Sequence, residues 1–148
     1  MRNIIICPIK AVLEEITQST AYYILCSSYE IHLKPTENSL ILHFFDTCNP
    51  RNPYVFTKED AIAILTFFDS FPSDADVFVC CDSGESRSPA VAAALMRYQG
   101  ESDYEIWNSS EYHPNSLVFD ILWRCVQDRN STRSQKVPYK SKNHTTIS

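Results

Sequence analysis

A cysteine and an arginine six positions apart, Cys81 and Arg87, are the residues of this chain best suited to covalent chemistry. A thiolate is a strong nucleophile, and helix N-termini and nearby cations favour that form over the neutral thiol. A guanidinium holds two oxygens of a phosphoryl group in a planar fork that an ammonium cannot reproduce. Between the two lie Asp82, Ser83, Gly84, Glu85 and Ser86, and Ser88 follows with a hydroxyl. Sulfur and guanidinium on one short loop point to attack at phosphorus, where a cysteinyl-phosphate splits one hard displacement into two easier ones. The peptide amides from Asp82 to Arg87 are expected to donate to the phosphoryl oxygens, and such fixed donors supply most of the rate.

A loop of this kind has to be presented by rigid neighbours. Val77, Phe78 and Val79 form a short apolar, β-prone run, so a buried strand is expected from Asp76 into the cysteine. Pro89 falls in the first turn of a helix, where its missing N–H has no partner to lose. Val91, Ala92, Leu95 and Met96 then recur at helical spacing, and Gly100 supplies the stop. A strand feeding a helix through a tight loop aims several amides at one point, at the positive end of the helix dipole. That is a socket for a phosphate-sized anion.

The run Cys81, five residues, Arg87, with Gly84 inside it and Ser88 after it, resembles the signature loop of the cysteine-dependent protein phosphatases. The likeness is closest to the small dual-specificity branch, and Tyr112-x-Pro114-Asn115 is similar to a feature of its small bacterial and phage members. It spans roughly residues 40–125 and is strongest over 81–90. The resemblance implies a single-domain α/β fold with a central sheet flanked by helices, and it implies no metal and no cofactor. The implied activity is hydrolysis of phosphotyrosine, and of phosphoserine or phosphothreonine, in proteins. Under the same resemblance Ser88 hydrogen-bonds the departing thiolate, although its hydroxyl also suits simple N-capping.

The leaving oxygen needs a proton, so a carboxylic acid must reach the loop from elsewhere. In the resembled family an aspartate after a neighbouring strand does this, and Asp46, 35 residues before Cys81, matches. Asp46 also reads as a turn residue or Asx cap. Asp69, Asp74 and Asp76 are rivals, placed within a helix, in the turn after it, and at the mouth of the central strand. Two departures stand out. Relatives carry His immediately before the nucleophile, where this chain has Cys80. Asp82 and Glu85 put two carboxylates on the loop, which opposes multiply anionic substrates such as inositol lipids. These departures keep open a catalytically silent module that binds phosphorylated partners. An RNA 5′-phosphatase is a third reading, supported only by a basic C-terminal segment.

The chain has 148 residues, a net charge of −5 and 44% apolar residues, which fits one soluble domain with a real core. It lacks the basic footprint of a duplex-binding protein, so nucleic acid is not an expected partner. Ile4–Ile6 is too short for a signal peptide core or a membrane span, and a cytoplasmic protein that does not engage membranes is expected. Six cysteines without a CxxC pair read as reduced thiols rather than a disulfide framework or zinc site. Oligomeric state is left open.

Strands are expected at 3–7, 21–26, 40–45 and 76–80. Helices are expected at 11–17, with Val12, Leu13 and Ile16 inward, from a Thr57/Asp60 capping box to about Phe71, after the loop, and from an Asn115 cap to about Gln127. Residues 1–128 would form the catalytic domain. Residues 129–148 hold Arg129, Arg133, Lys136, Lys140 and Lys142 and no acid, so a disordered or loosely held basic tail is expected, leaving the body at −10.

Overall fold

The protein is described by a computed structural model covering residues 1–33 and 36–142, with side chains as far as residue 131. Four strands, β1 (Asn3–Pro8), β2 (Tyr22–Ser27), β3 (Ser39–His43) and β4 (Asp76–Cys81), make one sheet in the order β1-β4-β2-β3. Every pairing is parallel. A parallel sheet needs both faces covered, and β4 alternates accordingly. Val77, Val79 and Cys81 join one core cluster, whereas Cys80, with Phe78 packed beside it, belongs to another on the opposite face.

Four helices among the described residues cover the first face. α1 (Lys58–Asp69) contributes Ala61, Ile64, Leu65 and Phe68, and α2 (Arg87–Tyr98) a continuous buried run from Ala90 to Leu95. The long helix α4 (Ser116–Lys142) adds Val118, Leu122 and Val126; the short α3 (Tyr104–Asn108), not anticipated from the sequence, adds Ile106. The α1 capping box forms as expected: Asp60 N donates to Thr57 Oγ1 at 3.1 Å and Thr57 N to Asp60 Oδ2 at 3.0 Å. Gly100 ends α2 in the left-handed region at φ 79°, where a Cβ would be strained.

Among the described residues the second face is covered without an α-helix. The helix expected at 11–17 is instead a 3-10 turn at Ile9–Ala11 followed by further turns. Its bonds mix spacings: Val12 N donates to Ile9 O, Glu15 N and Ile16 N to Val12 O, and Gln18 N to Glu15 O. Turns at these mixed spacings already bury the inward apolar side chains, so a continuous helical ladder is not required. Val12 and Ile16 are buried as expected, while Leu13 faces solvent.

Two further boundaries differ. Phe44 and Phe45 leave the sheet, Phe45 N pairing with Tyr54 O at 2.7 Å, so Asp46 lies in a loop rather than at a strand end. The last helix runs on past Gln127 to Lys142. Residues 143–148 of the basic segment lie outside the described residues. No described helix is long and apolar enough to cross a membrane.

Candidate active site

β4 is a central strand, and its last residue Cys81 pairs in register with Cys26 of β2 on one side and Pro8 of β1 on the other. The five residues 82–86 then turn the chain directly into α2, whose first residues Arg87 and Ser88 are buried. The turn is possible because Gly84 adopts φ 76°. A Cβ there would stand 2.9 Å from Pro8 N and 3.1 Å from Cys7 C, so the loop rests on the end of β1.

Cys81 Sγ sits inside this turn. Gly84 N donates to it at 3.2 Å, and Ser88 Oγ lies 3.1 Å away. Asp82 is turned back toward the sheet rather than into the socket. Its Oδ1 accepts from Ser27 Oγ at 2.6 Å, and its Oδ2 from Ser28 N at 3.1 Å and Arg87 Nη2 at 2.8 Å. Burial pushes the Asp82 carboxyl up, but the bonds from Ser27, Ser28 and Arg87, with the guanidinium charge, together hold it below the usual range. The charge expected to repel anions is therefore engaged by Arg87.

Arg87 is itself 5% exposed. Its Nη1 donates to Ser28 Oγ at 2.9 Å and Phe44 O at 2.7 Å, and its guanidinium lies 5.9 Å above the centre of the Phe44 ring. Nε is buried and finds no partner among the described residues. A buried donor left unpaired costs about 1–3 kcal/mol, and an arriving oxyanion would remove that cost. Ser83 and Glu85 are exposed, and Glu85 N donates to Ser83 Oγ at 3.2 Å. Two of the six loop amides, Gly84 and Glu85, are thus bonded within the loop rather than left open.

Asp46 reaches the far side of the same loop, where Ser86 Oγ donates to its Oδ1 at 2.8 Å. Asn115 Nδ2 donates to the same oxygen at 2.8 Å. Segment 112–115 braces the loop, His113 N donating to Glu85 O at 2.7 Å and Asn115 N to Ser86 O at 3.0 Å. The rivals lie elsewhere: Asp76 begins β4 at the opposite end of the sheet, and Asp69 pairs with Tyr98 and Arg129.

Cys80, in the position of the relatives' His, takes no part in this network. Its Sγ points to the opposite face, 3.4 Å from Cys7 Sγ. The contact with Cys7 and its burial push the Cys80 thiol well up. The structure thus brings Cys81, Asp82, Gly84, Ser86, Arg87, Ser88 and Asp46 together, alongside Ser27, Ser28, the Phe44 carbonyl and the Asn115 amide, to which the sequence did not point in this role. Ser27–Ser28 read only as a strand boundary. The available signal was topological: in a parallel sheet, residues just past β2 must lie beside the loop that follows β4.

A cavity of about 350 Å3 beside Arg87 is lined by Ser28, His43, Phe44, Phe45 and Tyr54. Phe45 and Tyr54 are exposed, with ring centres 4.8 Å apart.

No protein-family model and no curated protein matches the chain. Solved structures do. PTPMT1 is similar over 90% of this chain and 95% of its own, at 16% identity and TM-score 0.59. The structure of PTPMT1 in complex with PI(5)P gives 16% identity and TM-score 0.58, over 88% of this chain and 94% of that one. Human DUSP28 gives 17% identity and TM-score 0.51, over 87% and 94%. A four-stranded parallel sheet with its helices, and the likeness of nearly the whole chain to these structures, make this a single-domain α/β protein with the dual-specificity-phosphatase fold.

Proposed function

We propose that the protein is a metal-independent phosphomonoester hydrolase acting on phosphotyrosine, and also on phosphoserine and phosphothreonine, in protein substrates. The observation that carries the reading is the loop itself: Cys81 Sγ with Gly84 N at 3.2 Å and Ser88 Oγ at 3.1 Å, beside a buried Arg87 whose Nε has no partner. In this mechanism the Cys81 thiolate attacks phosphorus, forming an S–P bond as the ester P–O bond breaks. Asp46 hands its proton to the departing oxygen. Asp46 then takes a proton from water, which attacks the cysteinyl-phosphate and releases inorganic phosphate and the thiolate, with Ser88 Oγ stabilising the sulfur as it leaves. Arg87 and the amides of Asp82, Ser83, Ser86 and Arg87 hold the equatorial oxygens, joined by those of Gly84 and Glu85 as they exchange their bonds to Cys81 Sγ and Ser83 Oγ for the phosphoryl group.

Protein substrates are favoured over lipid ones by the loop's charge. PTPMT1 has been solved with PI(5)P, but here the loop carries no lysine, and of its two carboxylates Glu85 stays exposed while Asp82 pairs with Arg87. The exposed aromatics lining the neighbouring cavity suit an aryl ester.

The test is turnover of an aryl phosphate in chelator, with vanadate as competitor. Wild type is expected to release phosphate, and Cys81→Ser to lose at least about 10⁴-fold in kcat. Retained turnover in Cys81→Ser would overturn the mechanism. A second reading, a silent phosphate-binding module, rests on Cys80 standing where the resembled family carries His and on the acidic residues Asp82 and Glu85 of the loop. It predicts phosphopeptide binding without phosphate release at any pH.

A further inference from the structure

Asn115 does more than begin α4. It is 5% exposed, and its polar atoms are engaged on three chain segments. Its Oδ1 accepts from Val118 N at 3.0 Å, the ordinary capping bond, and from the Cys48 thiol at 3.4 Å. Its main-chain N donates to Ser86 O on the phosphate loop at 3.0 Å. Its Nδ2 donates to Asp46 Oδ1 at 2.8 Å and to Thr47 O at 3.2 Å. Capping requires an acceptor only, and Ser, Thr or Asp would serve as well. The two Nδ2 bonds are surplus to that role, and both go to the loop bearing Asp46.

Their effect on Asp46 is directional. Its side chain is exposed, and a free carboxylate there would sample several rotamers. Instead Oδ1 accepts from both Ser86 Oγ and Asn115 Nδ2, which saturates it with donors. A carboxyl proton then resides on Oδ2. We propose that Asn115 is a positioning residue for proton transfer: with Ser86 it fixes the Asp46 carboxyl so that Oδ2 alone carries the proton between enzyme and leaving-group oxygen. The inference rests on the reading of Asp46 as general acid. Misplacing such a group by an ångström is enough to lose most of its contribution.

Leaving-group dependence separates positioning from capping. Dinitrophenolate departs from 2,4-dinitrophenyl phosphate unprotonated, whereas phenol needs the proton. Asn115→Ser keeps a capping hydroxyl but cannot reach Asp46. It is expected to lower kcat/KM for phenyl phosphate about 10–100-fold while changing the dinitrophenyl ester less than about threefold. Asn115→Asp, which keeps the capping acceptor and loses the donor, should show the same split. Added to Asp46→Asn, neither should lower phenyl phosphate turnover further. Equal losses on both esters, or none, would overturn the inference while a selective loss in Asp46→Asn leaves the acid in place. If Asp46→Asn itself shows no selectivity, the acid assignment fails and the positioning role falls with it.

Discussion

Cys80 and Cys81 are neighbours in the chain and have almost nothing else in common. Cys81 faces the helices, at the mouth of a loop that brings an amide and a hydroxyl to its sulfur, with Arg87 paired to Asp82 of the same loop. Cys80 faces the other way, in a cluster with Ile9, Val12 and Ile16, with the Cys7 sulfur 3.4 Å from its own. Both are buried, so burial does not distinguish them. The pleat does: successive residues of a strand point to opposite faces, and only one face here ends at a helix N-terminus. Cys80, standing where the resembled family carries His, packs into the far core and leaves the contacts of Cys81 in place.

The largest effect that tests this contrast is on turnover. Cys81→Ala is expected to abolish aryl phosphatase activity, by about 10⁴-fold or more. Cys80→Ala removes a small buried group and should cost about 1–2 kcal/mol in a denaturant melt, leaving kcat/KM within about threefold. A loss of two orders of magnitude in Cys80→Ala would break the comparison, since it would make the far face part of the site.

The two faces meet at Gly84, and a methyl group there sharpens the contrast. Gly84→Ala places a Cβ at φ 76° and 2.9 Å from Pro8 N, a backbone atom that cannot swing aside. The left-handed conformation alone costs about 1–2 kcal/mol in an L-residue, and with the clash about 2–4 kcal/mol in all is expected by chemical denaturation. Loop and β1 should shift together, so activity falls with stability. A Gly84→Ala protein with wild-type stability would mean that the loop does not rest on β1.

How far the site was legible follows from how local its parts are. The strand, the cysteine, the glycine, the arginine and the opening of α2 lie within fifteen residues, and their spacing is a local property that sequence carries directly. The Thr57/Asp60 box and the Asn115 cap are local too. The direction of the Asp82 carboxylate was not legible. It depends on Ser27 and Ser28, 55 and 54 residues away, which a sheet order placing β2 against β4 brings alongside. Nor was the donation from Asn115 to Asp46, across 69 residues. The segment at 11–17 failed for another reason: its apolar spacing fits a helical face, but tertiary burial of Val12 and Ile16 is met by turns alone.

The smallest of the effects, and the one that reads charge rather than packing, concerns Asp82. Its carboxyl titrates below the ordinary value of about 3.9 because the folded state offers Ser27, Ser28 and Arg87 to the charged form. A depressed pKa contributes stability that is present above the unfolded value and lost as pH falls through the folded one. Asp82→Asn keeps the shape and one acceptor oxygen but not the charge beside Arg87, so about 1 kcal/mol is expected to be lost at pH 7. That gap should hold down to about pH 5, narrow below 3.9, and close once wild-type Asp82 is itself protonated. Urea melts from pH 7 to pH 2.5 would follow it. Cys80→Ala, whose thiol titrates far above this window, should show a gap that does not change with pH over the same range. If the Asp82→Asn gap were equally flat, the hold on Arg87 would come from hydrogen-bond geometry alone, and the charge difference between the two faces of β4 would count for nothing in stability.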